Sequence, residues 1–211
     1  MKVRILIVED QMIVRKGLRM IVEQEERYHV VGEAGNGLEA IEIMEKYEID
    51  IILMDIRMPG MNGMETTKIV KQRWPNVKIL ILTTFNDDEA ALETLKDGVN
   101  GFLLKTAEPQ KLIQAVQSCL DGGLVLHEDV AAKMMPGLLE KKKLEPIHVP
   151  LTERELDIAK LVGEGKTNKE IAKHLYLSIG TVKNHITQVL QKIGVRDRTQ
   201  LAIYAVRNDL V

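Results

Sequence analysis

Over the first 120 residues of this 211-residue chain, apolar and polar positions alternate in blocks. Short apolar, β-branched runs fall at Val3–Val8, His29–Ala34, Ile49–Asp55, Val77–Thr83 and Gly101–Lys105. Segments with helical spacing separate them. Met12, Leu18, Ile21 and Val22 carry the first, Leu38, Ile41 and Met44 the second, and Ile69 with Val70 the third. Ala91, Leu92 and Leu95 mark the fourth, and Leu112, Ala115, Val116 and Cys119 the fifth. Strands alternating with helices in this way predict an α/β unit: a doubly wound, five-stranded parallel sheet covered on both faces, with right-handed crossovers. Ligands of such sheets bind beyond the carboxyl ends of the strands, where strand order reverses.

The pattern loosens over residues 122–148, a linker expected to be partly helical around Val130–Met135. From residue 149 to 211 the rhythm is wholly helical and predicts a separate all-α unit of four helices. Thr152 with Glu155 and Thr167 with Glu170 fit capping boxes, Gly163 and Gly165 separate the first two helices, a third runs from about Ser178 to Ile193, and a fourth begins near Asp197.

Charge sharpens this division. The net charge is −2, but residues 149–211 carry +3 and residues 1–148 carry −5. An acidic body with a mildly basic tail fits a nucleic-acid-binding C-terminal part. Cys119 is the single cysteine, in an amphipathic setting that reads as a core thiol, so neither a disulfide framework nor a thiolate metal site is expected. With no long apolar span, the chain is expected to be cytoplasmic and free of membrane contacts. His29, His127, His148 and His174 show no metal-ligand spacing.

The polar residues of the strands fall at one edge. The first strand ends in Glu9 and Asp10, the third in Asp55, the fourth in Thr83 and Thr84, and the fifth in Lys105. Any one of these alone is an ordinary loop acid, cap or strand-end residue, but their joint placement is hard to explain by packing. Carboxylates gathered together repel, and a divalent cation relieves the repulsion. Oxygen-only donors indicate Mg²⁺, and the chemistry indicated is phosphoryl transfer. Asp55, beside the turn "RMPGMNG", is the best-placed nucleophile, with Lys105 and the Thr83 hydroxyl placed to hold phosphoryl oxygens.

"ILIVED", "ILMDIRMPGMNG", "LTTFND" and "GFLLK" resemble the receiver domain of two-component response regulators, over residues 1–121. The resemblance implies strand order 2-1-3-4-5 and phosphorylation of Asp55 by a sensor histidine kinase. It further implies Mg²⁺ held by Glu9, Asp10, Asp55 and the Arg57 carbonyl, and a switch pair of Thr83 and Phe102. Self-phosphorylation from a phosphodonor and slow self-dephosphorylation would be its only enzymic properties. Two departures stand out: Glu9 where many receivers have Asp, and Thr106 after Lys105 where proline is commoner.

In "SIGTVKNHITQVLQKIG", Val182, Ile186, Val189, Leu190 and Ile193 fall on one helical face. Lys183, Asn184, Thr187, Gln188 and Gln191 lie opposite, with lysine and amides but no acid. Such a face is usually just solvated. Here it follows a helix and a tight turn in "NKEIAKHLYLSIGTVKNHI", the helix-turn-helix plan whose second helix enters the major groove of DNA. Residues 149–206 resemble the LuxR-type helix-turn-helix of NarL/FixJ regulators. That resemblance implies base-edge contacts from Lys183, Asn184 and Thr187, and phosphate contacts from Thr181, Asn168, Lys169 and Lys192. His185 either touches a phosphate or packs. Leu201, Ala202 and Ala205 would lie at a dimer interface. The expected whole is a transcription regulator switched by phosphorylation, with double-stranded DNA, RNA polymerase and a second copy of the chain as partners.

Two other classes compete. A phosphohydrolase with Asp55 as nucleophile needs a second acid close by in sequence, and the position two residues on is Arg57. A regulator triggered by a small ligand needs an apolar binding domain, which the acidic edge contradicts.

Overall fold

The computed structural model describes residues 2–84, 94–126, 151–208 and 210–211. Ala91 and Leu92 of the fourth helical segment, and the linker helix expected around Val130–Met135, lie outside these residues. The N-terminal unit runs β1 (Val3–Val8), α1 (Met12–Val22), β2 (Tyr28–Ala34), α2 (Gly37–Lys46), β3 (Ile51–Asp55), α3 (Gly63–Arg73), β4 (Lys78–Thr83), β5 (Gly101–Leu104), α4 (Pro109–Leu120) and β6 (Val125–Leu126). The C-terminal unit holds α5 (Glu153–Gly163), α6 (Asn168–Leu175), α7 (Ile179–Ile193) and α8 (Arg198–Arg207).

The sheet has the order β2-β1-β3-β4-β5-β6 with every pairing parallel. The expected five-strand core is present. A sixth, two-residue strand pairs Gly101 with Val125 and Phe102 with Leu126. Two residues carry no periodicity, so this edge left no mark in the apolar pattern.

Alternating strand side chains divide the core into two layers. Leu6, Val8, Ile52 and Met54 pack with Ala40, Met44 and Val70 of α2 and α3. Ile5, Ile7, Ile51 and Leu53 pack with Val22 of α1 and with Leu112, Ala115 and Val116 of α4. All five residues of β3 are buried, as a central strand covered on both faces requires.

Both expected capping boxes form. Thr152 accepts from the Glu155 amide and Thr167 from the Glu170 amide, while each glutamate returns to the cap backbone. Ser178 accepts from the Thr181 amide at 3.0 Å to start α7, and Gly194 ends it at φ 70°. Ile158, Val162, Ile171, Val182, Ile186, Val189 and Leu201 form this unit's own core.

The two units touch through the starts of α8 and α6. The Thr199 hydroxyl donates to the Val99 carbonyl at 2.6 Å, in a buried bond, and Gln200 Nε2 donates to the Lys96 carbonyl at 3.1 Å. Ile203 packs against the layer that contains Leu95, Val99 and Phe102. The Asn168 amide donates to the Asp121 carbonyl at 3.2 Å. Gly98 sits at φ +91°, and a Cβ there would collide with the Asp197 carboxylate.

Candidate functional site

Parallel strands of similar length end at one edge, and this edge collects the expected polar residues. Glu9 directly follows β1, Asp55 closes β3, Thr83 closes β4 and Lys105 directly follows β5. Parallel pairing of β1 with β3, β3 with β4, and β4 with β5 aligns the four ends. Carboxylate oxygens of Glu9, Asp10 and Asp55 lie within 4.8 Å of one another. Asp10 is exposed, whereas Glu9 and Asp55 are buried.

Lys105 is the counter-charge. Its Nζ stands 2.7 Å from Asp55 Oδ2 and 2.8 Å from Glu9 Oε2. Burial raises both carboxyls above their ordinary pKa, with Lys105 opposing the shift. Burial would lower Lys105, but hydrogen bonding to Asp55 and Glu9 outweighs it and holds the ammonium above its usual range. The site is thus a strained balance: two buried acids share one cation, with a third acid at the solvent edge. Among the described residues Glu9 Oε2 has no partner besides Lys105, so it retains acceptor capacity. Three oxygen donors converging with spare capacity fit a hard divalent cation.

The local sequence explains how Asp55 is held. A Cβ at Gly63 would run into the Asp55 carbonyl, so glycine alone lets α3 start directly behind the acid. The Gly63 amide donates to the Ile56 carbonyl at 2.9 Å. Asn62 caps α3, with Glu65 completing a further capping box. The Arg57 amide donates to Asp55 Oδ1 at 3.3 Å. The run "PGMNG" reads as a turn in the sequence; the need for Gly63 lies in the packing against the Asp55 carbonyl.

Thr83 is buried and its hydroxyl donates to the Thr84 carbonyl at 3.1 Å. Register pairs Ile81 with Phe102 and Thr83 with Leu104, so Thr83 and Phe102 share one face of the sheet. Phe102 is fully buried in the layer that Ile203 of α8 touches. Cys119 is a core thiol: burial pushes it up to about 12, and Sγ donates to the Asn100 carbonyl at 3.4 Å.

In the helical unit, Lys183, Asn184, Thr187, Gln188 and Gln191 are exposed, while Val182, Ile186, Val189 and Ile193 are buried. The Thr187 hydroxyl donates to the Lys183 carbonyl of its own helix at 3.0 Å. Thr181 shares a hydrogen bond with the cap hydroxyl of Ser178 at 2.8 Å. Lys169 is exposed. Two more of the expected phosphate contacts, besides Thr181, are engaged within the chain. Lys192 pairs with Glu155 at 2.7 Å, and Asn168 Oδ1 accepts from Arg198 at 2.8 Å.

The expected dimerisation positions do not lie at the surface. Leu201, Ala202 and Ala205 are buried at 0%, 4% and 0% exposure, inside the helical unit's own core. Their spacing marks the apolar face of α8, and a face that packs at home has the same periodicity as one that packs on a partner. As folded, these side chains face no second copy.

The family described as the response regulator receiver domain matches residues 5–117, and that of bacterial regulatory proteins, luxR family, matches residues 149–205. The chain is a response regulator. It is 43% identical to the transcriptional regulatory protein LnrK of Bacillus subtilis (strain 168), over 97% of each chain. It is 40% identical to the transcriptional regulatory protein LiaR of the same organism, over 99% of each. Among solved structures, the response regulator RcsB in complex with DNA aligns at TM-score 0.60 with 27% identity, covering 98% of this chain and 99% of RcsB. This response regulator is a DNA-binding transcription regulator of a two-component system. Among its described residues no helix is long and apolar enough to cross a membrane.

Proposed function

We propose that this response regulator is switched by transfer of a phosphoryl group from a sensor histidine kinase to Asp55. The observation that carries the reading is the Lys105 ammonium between Asp55 and Glu9, with Asp10 completing the carboxylate cluster. One Asp55 oxygen attacks phosphorus, the P–N bond of the donor phosphohistidine breaks, and a P–O bond forms. Glu9, Asp10, Asp55 and the Arg57 carbonyl would hold Mg²⁺, which when bound supplies charge neutralisation for the transferring phosphoryl oxygens. Lys105 then leaves its carboxylate partners for a phosphoryl oxygen, and the Thr83 hydroxyl gives up the Thr84 carbonyl for another. The chain works in the cytoplasm.

The packing supports a route from this site to the DNA-binding unit. Withdrawal of Thr83 opens space on the face it shares with Phe102. A reoriented Phe102 disturbs Leu95 and Val99, whose segment holds Thr199 and Ile203 of α8. The effect is a shift between docked and free helical units. Once free, α7 enters the major groove of double-stranded DNA, with Lys183, Asn184 and Thr187 toward base edges. Thr181 and Lys169 would meet phosphates directly, and Asn168 and Lys192 after releasing Arg198 and Glu155. The active species on DNA is a homodimer joined through surfaces other than Leu201, Ala202 and Ala205, and it recruits RNA polymerase.

The test is incorporation of label from a small-molecule phosphodonor with Mg²⁺. The parent chain should take up one acid-stable, alkali-labile phosphoryl group, and Asp55→Ala none. Undiminished labelling of Asp55→Ala would remove Asp55 from the reading.

A further inference from the structure

Tyr176 ends α6 in the left-handed region, at φ 55° and ψ 44°. Among the described residues it is the one non-glycine with positive φ. A bulky side chain is disfavoured in that conformation, and the turn of a helix-turn-helix often contains glycine instead. Burial does not offset the strain, because the side chain is 96% exposed. No hydrogen bond, ion pair or ring contact with another described residue engages it. A second unfavourable choice follows four residues later. Gly180 lies in the first turn of α7, where glycine is a poor helix former. Space is not the reason, since the nearest heavy atom to a Cβ there would be Ser178 Oγ at 3.7 Å. Ile179 between them is 45% exposed. The segment from Ile171 to Val195 contains no acidic residue, and Lys173 and Lys183 flank the turn.

Two residues that cost stability inside the chain thus sit together at the entry to α7. The Tyr176 backbone caps α6 through its amide on the Ala172 carbonyl, but among the described residues no side-chain contact explains a tyrosine at 176 or a glycine at 180. Backbone strain of this kind is tolerated where the surface meets a ligand. We propose that Tyr176 is a DNA contact: its phenolic hydroxyl donates to a backbone phosphate oxygen, its ring lies against the adjoining deoxyribose, and the missing Cβ of Gly180 admits that strand. This rests on the reading of α7 as the helix that enters the groove. The occupant is a polyanion because the segment is free of acids, and tyrosine is one of the side chains that position proteins on phosphates.

The test uses the full chain, with Mg²⁺ and phosphodonor, titrated onto a 30-base-pair duplex of mixed sequence across a salt series. Tyr176→Asn, in which asparagine tolerates the left-handed turn, should bind about tenfold more weakly, the loss expected for a hydrogen bond to a charged group. Tyr176→Phe, which keeps the ring, should fall between. The slope of log affinity against log salt should not change, because tyrosine releases no counterion. The melting temperature of Tyr176→Asn should equal or exceed that of the parent, which a structural tyrosine would not allow. Equal DNA binding by Tyr176→Asn and the parent overturns the proposal, including the case where transcription alone suffers and the contact is with a protein. So does a lowered melting temperature that accounts for the weaker binding. Lys183→Ala separates the two readings: if it weakens binding while Tyr176→Asn does not, only Tyr176 is lost. If the parent and all variants fail to bind the duplex, the α7 reading falls as well.

Discussion

Replacing Lys105 with methionine removes the ammonium that stands between Glu9 and Asp55. The side chains of Lys105, Glu9 and Asp55 are only 14%, 1% and 4% exposed, so water cannot readily take over its role. Breaking a buried pair by deleting one partner costs about 3–5 kcal/mol. The low end, ~3 kcal/mol at pH 7, is expected because the orphaned acids can take up a proton. For a chain of this size that corresponds to roughly 10 °C in melting temperature. The pH dependence follows. Glu9 and Asp55 already lie above their ordinary values, and without the ammonium they rise further. Their folded pKa then exceeds the unfolded one, so the variant is most stable in acid and loses stability as pH rises through the folded values. The gap from the parent should therefore be small near pH 4 and full at pH 7. If the carboxylates hold Mg²⁺, saturating the ion at 100 times its dissociation constant restores about 2.7 kcal/mol. Thermal melts of both chains between pH 4 and 8, with and without Mg²⁺, measure all three effects. A Lys105→Met chain that melts with the parent at pH 7, with the same pH slope, would refute the electrostatic account of the site.

Gly63→Ala places a methyl against the Asp55 carbonyl; it should destabilise by about 3 kcal/mol and reduce labelling at Asp55, read by melting and phosphodonor assay. Thr199→Val leaves the buried Val99 carbonyl without its 2.6 Å donor, weakening docking of the two units by about 1–3 kcal/mol. DNA affinity of the unphosphorylated chain should rise about tenfold, and unchanged affinity would show that docking does not restrain the helical unit. Glu155 is held down to about 2, chiefly by Lys192 and then by the Thr152 amide. Its folded pKa lies below the unfolded one, so its contribution is present above pH 5 and is lost as pH falls toward 2. Because Lys192 is 41% exposed, solvent screening leaves about 1–2 kcal/mol. Glu155→Gln should thus be less stable than the parent at pH 7 and indistinguishable from it near pH 2, by calorimetry of the full chain.

Much of this protein was legible as a string of residues because the governing interactions are local or periodic. Apolar runs such as Ile51–Met54 announce strands covered on both faces. Thr152 with Glu155 and Thr167 with Glu170 announce helix starts, since a capping box closes within four residues. The acids and Lys105 stand at strand ends, and a parallel sheet of similar strands necessarily brings such ends to one edge. Tertiary structure alone decided the rest. Whether Leu201, Ala202 and Ala205 face home or a partner depends on where α5 lies, which periodicity does not encode. That Lys192 is paired with Glu155, 37 residues away, and Asn168 with Arg198, 30 away, is likewise a matter of packing. The same holds for Gly63, whose need appears only once α3 is seen against the Asp55 carbonyl, and for Tyr176, whose strain is a backbone angle. Sequence determined which groups could do chemistry and at which edge. The fold decided which of them stand free, because pairing and burial depend on distances between segments far apart in the chain.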